Sequence, residues 1–224
     1  ELLLMKILVL SAGTKNLEYQ YSLTNKNKEI YCDKHGYDYL YVDLGEYKPG
    51  THFVRQQLLL RMLPEYDYVL WMDCDAWFHN MDIKIEDIIE KYQGFSLYAC
   101  RDDECYSNPK RWHDAFINSG VLLFKNDEHA RNIIERWRTP LSYTKLWMRT
   151  ISNLNDQPYL SIIILTDKYV QEHSKVVNPT ELNKFVFMGY DDNTFIMHYP
   201  GTTERKENGV ERWNNYAVPI IKIS

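Results

Sequence analysis

Two carboxylates one residue apart, Asp73 and Asp75, end the apolar run Tyr68-Val-Leu-Trp-Met72 and stand just ahead of Trp77-Phe78. Acids in an apolar setting are expensive to desolvate unless a cation meets them, and one divalent metal supplies that charge. A hard cation takes carboxylate oxygens and tolerates an imidazole. Mn²⁺ suits mixed oxygen and nitrogen donors better than Ca²⁺, with Mg²⁺ as the other ion to consider. On an extended chain Asp73 and Asp75 point the same way, because side chains alternate with a period of two. His198 is the favoured nitrogen donor, since it closes the run Phe195-Ile-Met197 and precedes the tight turn Pro200-Gly201. His79 is its rival, being nearer in sequence. A blander reading stands beside the metal site: an Asp-x-Asp pair also suits a solvated turn or a helix cap.

The elements that must position these residues are readable from periodicity. Val69 to Met72 is too short for a helix and reads as a buried strand. In open α/β sheets, ligands collect beyond the carboxyl ends of such strands. Upstream, Lys6 to Leu10 reads as a strand ended by a turn at Ser11-Ala-Gly-Thr14, whose small residues permit close approach. A long helix from Leu17 to His35, stopped by Gly36, leads to a strand over Tyr37 to Leu44, and β-α-β order implies a parallel pair. A helix from His52 to Leu63, ended near Pro64, leads into the acidic strand. Further on come a helix over Ile85 to Tyr92, a strand over Phe95 to Cys100, and a polar stretch from Arg101 to Asp114. Asn118-Ser-Gly120 sits at the mouth of an apolar strand running to Lys125, and Asp127 caps a helix to about Arg138. Asn155-Asp-Gln157 opens another helix. Short strands follow at Val176-Val177, at Phe185 to Met188 and from Phe195 towards Gly201.

Composition narrows the function classes. At 224 residues the chain suits one α/β domain spanning 1–224. A net charge of −5 and the lack of a dense Lys/Arg block argue against a nucleic-acid surface. Cys32, Cys74, Cys100 and Cys105 form no zinc-type pair of pairs and read as reduced thiols. No apolar run reaches the length of a membrane span. Met5-Lys-Ile-Leu reads as a native start after a short addition, Glu1 to Leu4, and leaves no room for a signal peptide, so the expected location is cytoplasmic unless a membrane anchor has been trimmed away.

Three chemistries place an acidic pair after a buried strand. In a haloacid-dehalogenase-like phosphatase the first acid is a nucleophile, but that pattern comes near the N-terminus and continues with glycine, not Ala76-Trp77. A sugar-nucleotide pyrophosphorylase would use Ser11-Ala-Gly-Thr14 as its phosphate loop, though Lys15-Asn16 is a thin substitute for the usual glycines and arginine. The third is a metal-dependent glycosyltransferase of the GT-A type. A non-catalytic carbohydrate-binding module, built on the many aromatic residues, would leave the acids unexplained.

The third chemistry gathers four segments in order: Trp71-Met-Asp-Cys-Asp75, Phe116-Ile-Asn-Ser-Gly120, Asp156-Gln157 and His198-Tyr-Pro-Gly201. On these, from Lys6 to about Gly201, the chain resembles the galactosyl/mannosyl/xylosyltransferase family 34, and more distantly the glycogenin-like family 8. The resemblance implies a GT-A (nucleotide-diphospho-sugar transferase-like) three-layer α/β sandwich with a mostly parallel sheet. It implies transfer of a sugar from a UDP-sugar to a glycan hydroxyl with retained configuration. Asp75 and His198 would bind the metal directly, and Asp73 would touch it or the ribose. Ser11, Ala12 and Gly13 would hold uracil and ribose. Arg55 would approach the nucleotide or donor sugar, or else make a surface ion pair. Asn118 and Gln157 would line the donor pocket, with Gln157 or Asp156 under the anomeric carbon, unless Asp156 is a helix cap. Gly201 belongs to the His-x-x-Gly turn. Relatives carry a lysine shortly after it; here Thr202-Thr-Glu-Arg-Lys206 leaves Arg205 or Lys206 to meet the diphosphate. Tyr106, Trp112, Tyr143 and Trp147 could stack on acceptor sugars.

Overall fold

The computed structural model describes residues 5–48, 51–102, 116–138, 156–200 and 218–221. Several expectations lie outside the described residues: those on Glu1 to Leu4, Pro49-Gly50, Cys105, Tyr106, Trp112, Tyr143, Trp147, Asn155, Gly201, Arg205 and Lys206.

The chain opens with β1 (Ile7–Gly13), α1 (Glu18–His35) and β2 (Asp38–Asp43). Helix α1 stops at Gly36, whose φ of 75° lies in the left-handed region and whose N–H meets the Cys32 carbonyl. A second crossover through α2 (Val54–Met62) reaches β3 (Tyr68–Asp73), and the short strand β4 (Ala76–Phe78) follows one turn later. Then come α3 (Ile85–Lys91), β5 (Leu97–Arg101), β6 (Ile117–Lys125) and α4 (Glu128–Arg138), the last capped by Asp127, whose carboxylate accepts from Ala130 N at 2.8 Å. The remaining described elements are α5 (Gln157–Thr166), α6 (Lys168–His173), β7 (Ser174–Val177), α7 (Pro179–Leu182), β8 (Lys184–Phe185) and β9 (Ile196–His198).

The main sheet runs in the order β2-β1-β3-β6-β5-β7. Its pairs are parallel except that β6 opposes both of its neighbours, β3 and β5. Side-chain alternation along β1 explains the layering. Leu8, Leu10 and Ala12 join Val69, Trp71, Leu122 and Phe124 in a core covered by α2, α4 and α5, whereas Ile7 and Val9 join Leu70, Met72, Val121 and Leu123 under α1 and α3. Two cores on either face of one sheet make a three-layer sandwich. Each fully buried aliphatic side chain there stabilises the fold by roughly 1.5–3 kcal/mol. Beside it, β4, β9 and β8 form a small second sheet. Among the described residues no helix is long and apolar enough to cross a membrane.

Several details differ from the sequence reading, the helices Lys168–His173 and Pro179–Leu182 among them. Ser11-Ala-Gly13 is strand rather than turn, because β2 pairs with β1 as far as Gly13↔Asp43. Strand β4 was not foreseen, three residues being too few to show alternation. Phe185 to Met188 is strand only to Phe185 and then tightens into a 3₁₀ turn.

Candidate active site

One edge of the main sheet collects the chemistry-bearing residues. The C-terminal ends of β1, β3 and β5 lie there, and the reversed direction of β6 brings its N-terminal end to the same edge. Ser11 to Gly13, Asp73, Asp102 and Asn118 therefore meet although they are scattered along the chain. Asp73 ends β3, and Cys74-Asp75 forms the turn into β4, so the two acids converge through a turn and not along one extended strand. His198 arrives from β9, whose antiparallel ladder with β4 sets it opposite Ala76, next to Asp75. The Tyr199 N–H to Asp75 carbonyl bond, 3.0 Å, locks that register.

Asp73, Asp75 and His198 each offer a ligand atom within 4.8 Å of the others. Asp75 and His198 are buried, at 7% and 2% exposure, while Asp73 is half-buried. A relay of hydrogen bonds decides which nitrogen of His198 carries its proton. Gly120 N–H donates to Asn118 Oδ1 at 2.8 Å, and Asn183 Nδ2 donates to the same oxygen at 2.8 Å. That leaves Asn183 Oδ1 facing His198 Nδ1 at 3.1 Å, so Nδ1 holds the hydrogen. Nε2 then aims a lone pair at Asp75 Oδ1, 3.1 Å away. Two electron-rich atoms at that distance repel unless a cation, a proton or a metal ion, joins them. Two carboxylates and an imidazole so arranged fit a divalent cation. His79 is not in this group: it lies buried past the far end of β4 with its ring 4.6 Å from that of Tyr190.

Arg55, on α2, is buried and organises the neighbouring part of the site. Its Nε pairs with Asp156 Oδ2 at 2.9 Å, its Nη1 lies 3.7 Å from Asp73 Oδ1, and the same nitrogen donates to the Ser119 carbonyl. The guanidinium stacks near Trp71 and Trp137, 5.2 and 5.7 Å from the ring centres. The surface ion pair considered for Arg55 is thus excluded by burial. Asp156, 1% exposed, makes no side-chain cap to α5 and also accepts from Gln56 Nε2 at 3.3 Å. Asp73 Oδ1 accepts from Trp71 Nε1 at 2.7 Å.

Gln157 heads α5. Its Oε1 accepts from Ser119 N at 2.9 Å, and its Nε2 donates to Asp102 Oδ2 at 3.3 Å; Asn118 Nδ2 donates to the same Asp102 oxygen at 3.4 Å. The β5–β6 register jumps from Ala99↔Leu122 to Cys100↔Asn118, so Ser119 to Val121 bulge out of that pairing. The bulge frees the Ser119 N–H and carbonyl for Gln157 and Arg55. Gly120 lies in it: a Cβ there would come within 2.2 Å of His198 Cε1.

The strand end expected to receive a nucleoside looks different from its sequence. Ser11 is fully buried, and its hydroxyl accepts from Lys28 Nζ at 3.2 Å. Ala12 sits beside Asp73 in the ladder. A Cβ on Gly13 would come within 2.7 Å of Tyr41 Oη and 2.9 Å of Tyr21 Cδ1, so the protein's own tyrosines demand its smallness. Lys28 is wholly buried; burial pushes its ammonium down to about 8, against the opposing pull of Cys74, Asp75 and Asp73. Burial also holds the Cys74 thiol well above its ordinary range.

Lys28, Asp102, Gly120 and Asn183 were missed as site residues. Gly120 had a signal in its Asn-Ser-Gly triplet. Asp102 opens the polar stretch after β5. Lys28 and Asn183 carry no local signal, since each acts only through a partner distant in sequence.

Residues 5–116 and 113–208 match the galactosyl transferase GMA12/MNN10 family. Among similar proteins, an alpha-1,2-galactosyltransferase of Schizosaccharomyces pombe is 24% identical over 86% of this chain and 58% of its own length. Xyloglucan 6-xylosyltransferase 4 of Arabidopsis thaliana is 24% identical over 84% of this chain and 37% of its own. The chain thus spans about half the length, or less, of these curated relatives. Among solved structures, a glycosyltransferase involved in glycosylating the major capsid of PBCV-1 superposes with a TM-score of 0.64, at 20% identity, over 92% of this chain and 98% of that one. The galactosyltransferase LgtC, solved with donor and acceptor sugar analogs, gives 0.58 at 15% identity over 97% of both chains. The fold is accordingly the GT-A fold. With its family match running from Met5 through the His198 turn, the chain belongs to the galactosyl transferase GMA12/MNN10 family, the family 34 of glycosyltransferases.

Proposed function

We propose that this chain transfers a hexose or pentose from a UDP-sugar to a glycan hydroxyl, with Mn²⁺ or Mg²⁺ as cofactor and retention of anomeric configuration. The observation that carries the reading is the meeting of Asp73, Asp75 and His198 at the sheet's ligand-binding edge in a chain of this family. The names of the relatives, galactosyl- and xylosyltransferases, support the two sugar classes. Asp75 and His198 would hold the metal, with Asp73 touching it or the ribose. The ion, when bound, supplies Lewis-acid stabilisation of the departing diphosphate.

The remaining roles fall to the chain's own groups. Trp71 occupies one oxygen of Asp73 and so leaves the other for metal or ribose. Arg55 neutralises Asp156 and fixes the Ser119 carbonyl, which makes it a positioning group for the donor pocket. Asp156 is too enclosed by Arg55 and Gln56 to attack an anomeric carbon. Half-buried Gln157, its amide oriented by Ser119 and Asp102, is the better group to lie under that carbon and stabilise an oxocarbenium-like transition state. Asn118 lines the same pocket. Ala12 and Gly13 would offer backbone to the nucleoside, with Ser11 beneath them; the diphosphate is assigned to Gly201 and to Arg205 or Lys206, which lie outside the described residues.

Titration calorimetry tests the reading. UDP should bind in Mn²⁺ and weakly in EDTA; equal affinity in both would sink the metal bridge. Asp75→Ala should abolish the metal-dependent part while its circular dichroism stays that of the native chain. The anomer formed from an active donor, read by NMR, separates retention from inversion.

A further inference from the structure

We propose that Lys28 is a positioning residue that ties the nucleoside side of the site to the metal side. The assignment rests on the UDP-sugar reading above. Helix α1 turns a polar stripe, Thr24, Asn27 and Lys28, towards the sheet, all of it fully buried. Each member holds part of the acidic turn or the strand after it. Thr24 Oγ1 donates to the Cys74 carbonyl at 2.5 Å. Asn27 Nδ2 donates to the Phe78 carbonyl at 3.0 Å, and Asn27 Oδ1 accepts from Phe78 N at 2.8 Å. Lys28 Nζ donates to the Asp73 carbonyl at 3.0 Å and to Ser11 Oγ at 3.2 Å.

Lys28 is the charged member of the stripe, and its ammonium joins two segments, the end of β1 and the last residue of β3. Burying an ammonium is unfavourable, so a fold that only needed packing would do as well with an aliphatic chain of the same length. What the ammonium adds is a fixed link between Ser11, whose strand end faces the nucleoside, and the peptide that carries Asp73. The link sets the spacing between base and metal subsites, which a nucleoside diphosphate must bridge.

Lys28→Met keeps the volume and removes the charge and both hydrogen bonds. A positioning role predicts a thermal midpoint in EDTA equal to or above that of the wild type, together with a Kd for UDP in Mn²⁺ raised about 10- to 100-fold, the range for groups that orient metal ligands. A lowered midpoint with an unchanged Kd would make Lys28 merely structural and overturn the assignment. Should Lys28→Met not fold, Lys28→Gln, whose shorter stem cannot reach both acceptors, carries the same comparison. Thr24→Val serves as a control for general loosening of the turn; a Kd rise as large as that of Lys28→Met would also overturn the assignment. Failure of the wild type to bind UDP at all would fell the functional reading and this role together, whereas wild-type binding with a variant of equal Kd fells this role alone.

Discussion

Removing the Arg55 guanidinium would take from the buried Asp156 carboxylate a cationic partner at 2.9 Å, while the Gln56 amide at 3.3 Å stays. Breaking one partner of such a pair costs about 3–5 kcal/mol, far more than losing an exposed ion pair. Arg55→Ala should therefore lower the unfolding free energy read from urea titration by that much, and Arg55→Lys by less, since an ammonium keeps charge but not the fork. A loss below about 1 kcal/mol would mean that water reaches Asp156 and that the pair is no anchor. At this scale the sequence was legible where a residue announces its chemistry locally. Asp73, Asp75 and His198 could be picked because acids and a histidine beside apolar runs are unusual in themselves. Lys28 and Asn183 could not, because a lysine in a helix and an asparagine in a loop are ordinary until a partner fifteen or more residues away gives them a task.

Among the elements, reversed β6 with its bulge does most to shape the site. A regular β6 would pair Ser119 and Gly120 with β5 and leave Gln157 and Arg55 without their backbone partners. Gly120 is the bulge's most constrained point, because the His198 ring occupies the space a side chain would need. That ring is itself held by Asn183, so it cannot simply swing aside. Gly120→Ala should weaken UDP binding in Mn²⁺ by tenfold or more while the weak binding in EDTA is unchanged. Calorimetry on the variant checks this; native affinity would show that His198 has room to move. Strand existence was readable from apolar runs, and the helix ends from Gly36 and Asp127. Reversal, bulge and the three-residue β4 were not, since each is set by pairing with a partner strand rather than by its own residues.

For the molecule as a whole, two cores share a single sheet, and the site lies on the edge common to both. Apolar runs separated by helical stretches in β-α-β order made the α/β class and the parallel pairing legible in advance, and the order of the four motif segments made the GT-A fold legible by resemblance. Ligand that binds only the native chain stabilises it by mass action, by about 2.7 kcal/mol at a hundredfold excess over Kd. Saturating UDP with Mn²⁺ should thus slow unfolding in a urea jump, and UDP in EDTA should not. Equal unfolding rates in the two solutions would contradict binding across the site.

The β4–β9 ladder brings together Asp75 and His198, 123 residues apart in the chain. An ion held by both would act as a knot-like clasp on more than half the polymer. The entropy of closing so long a loop grows only with the logarithm of its length, so the clasp is little dearer here than between near neighbours. It can shut only after the last short strand has docked. Nucleotide affinity would then report on chain threading as much as on chemistry: a nascent or nicked chain lacking the β9 segment keeps both acids and still has nothing to fasten them to.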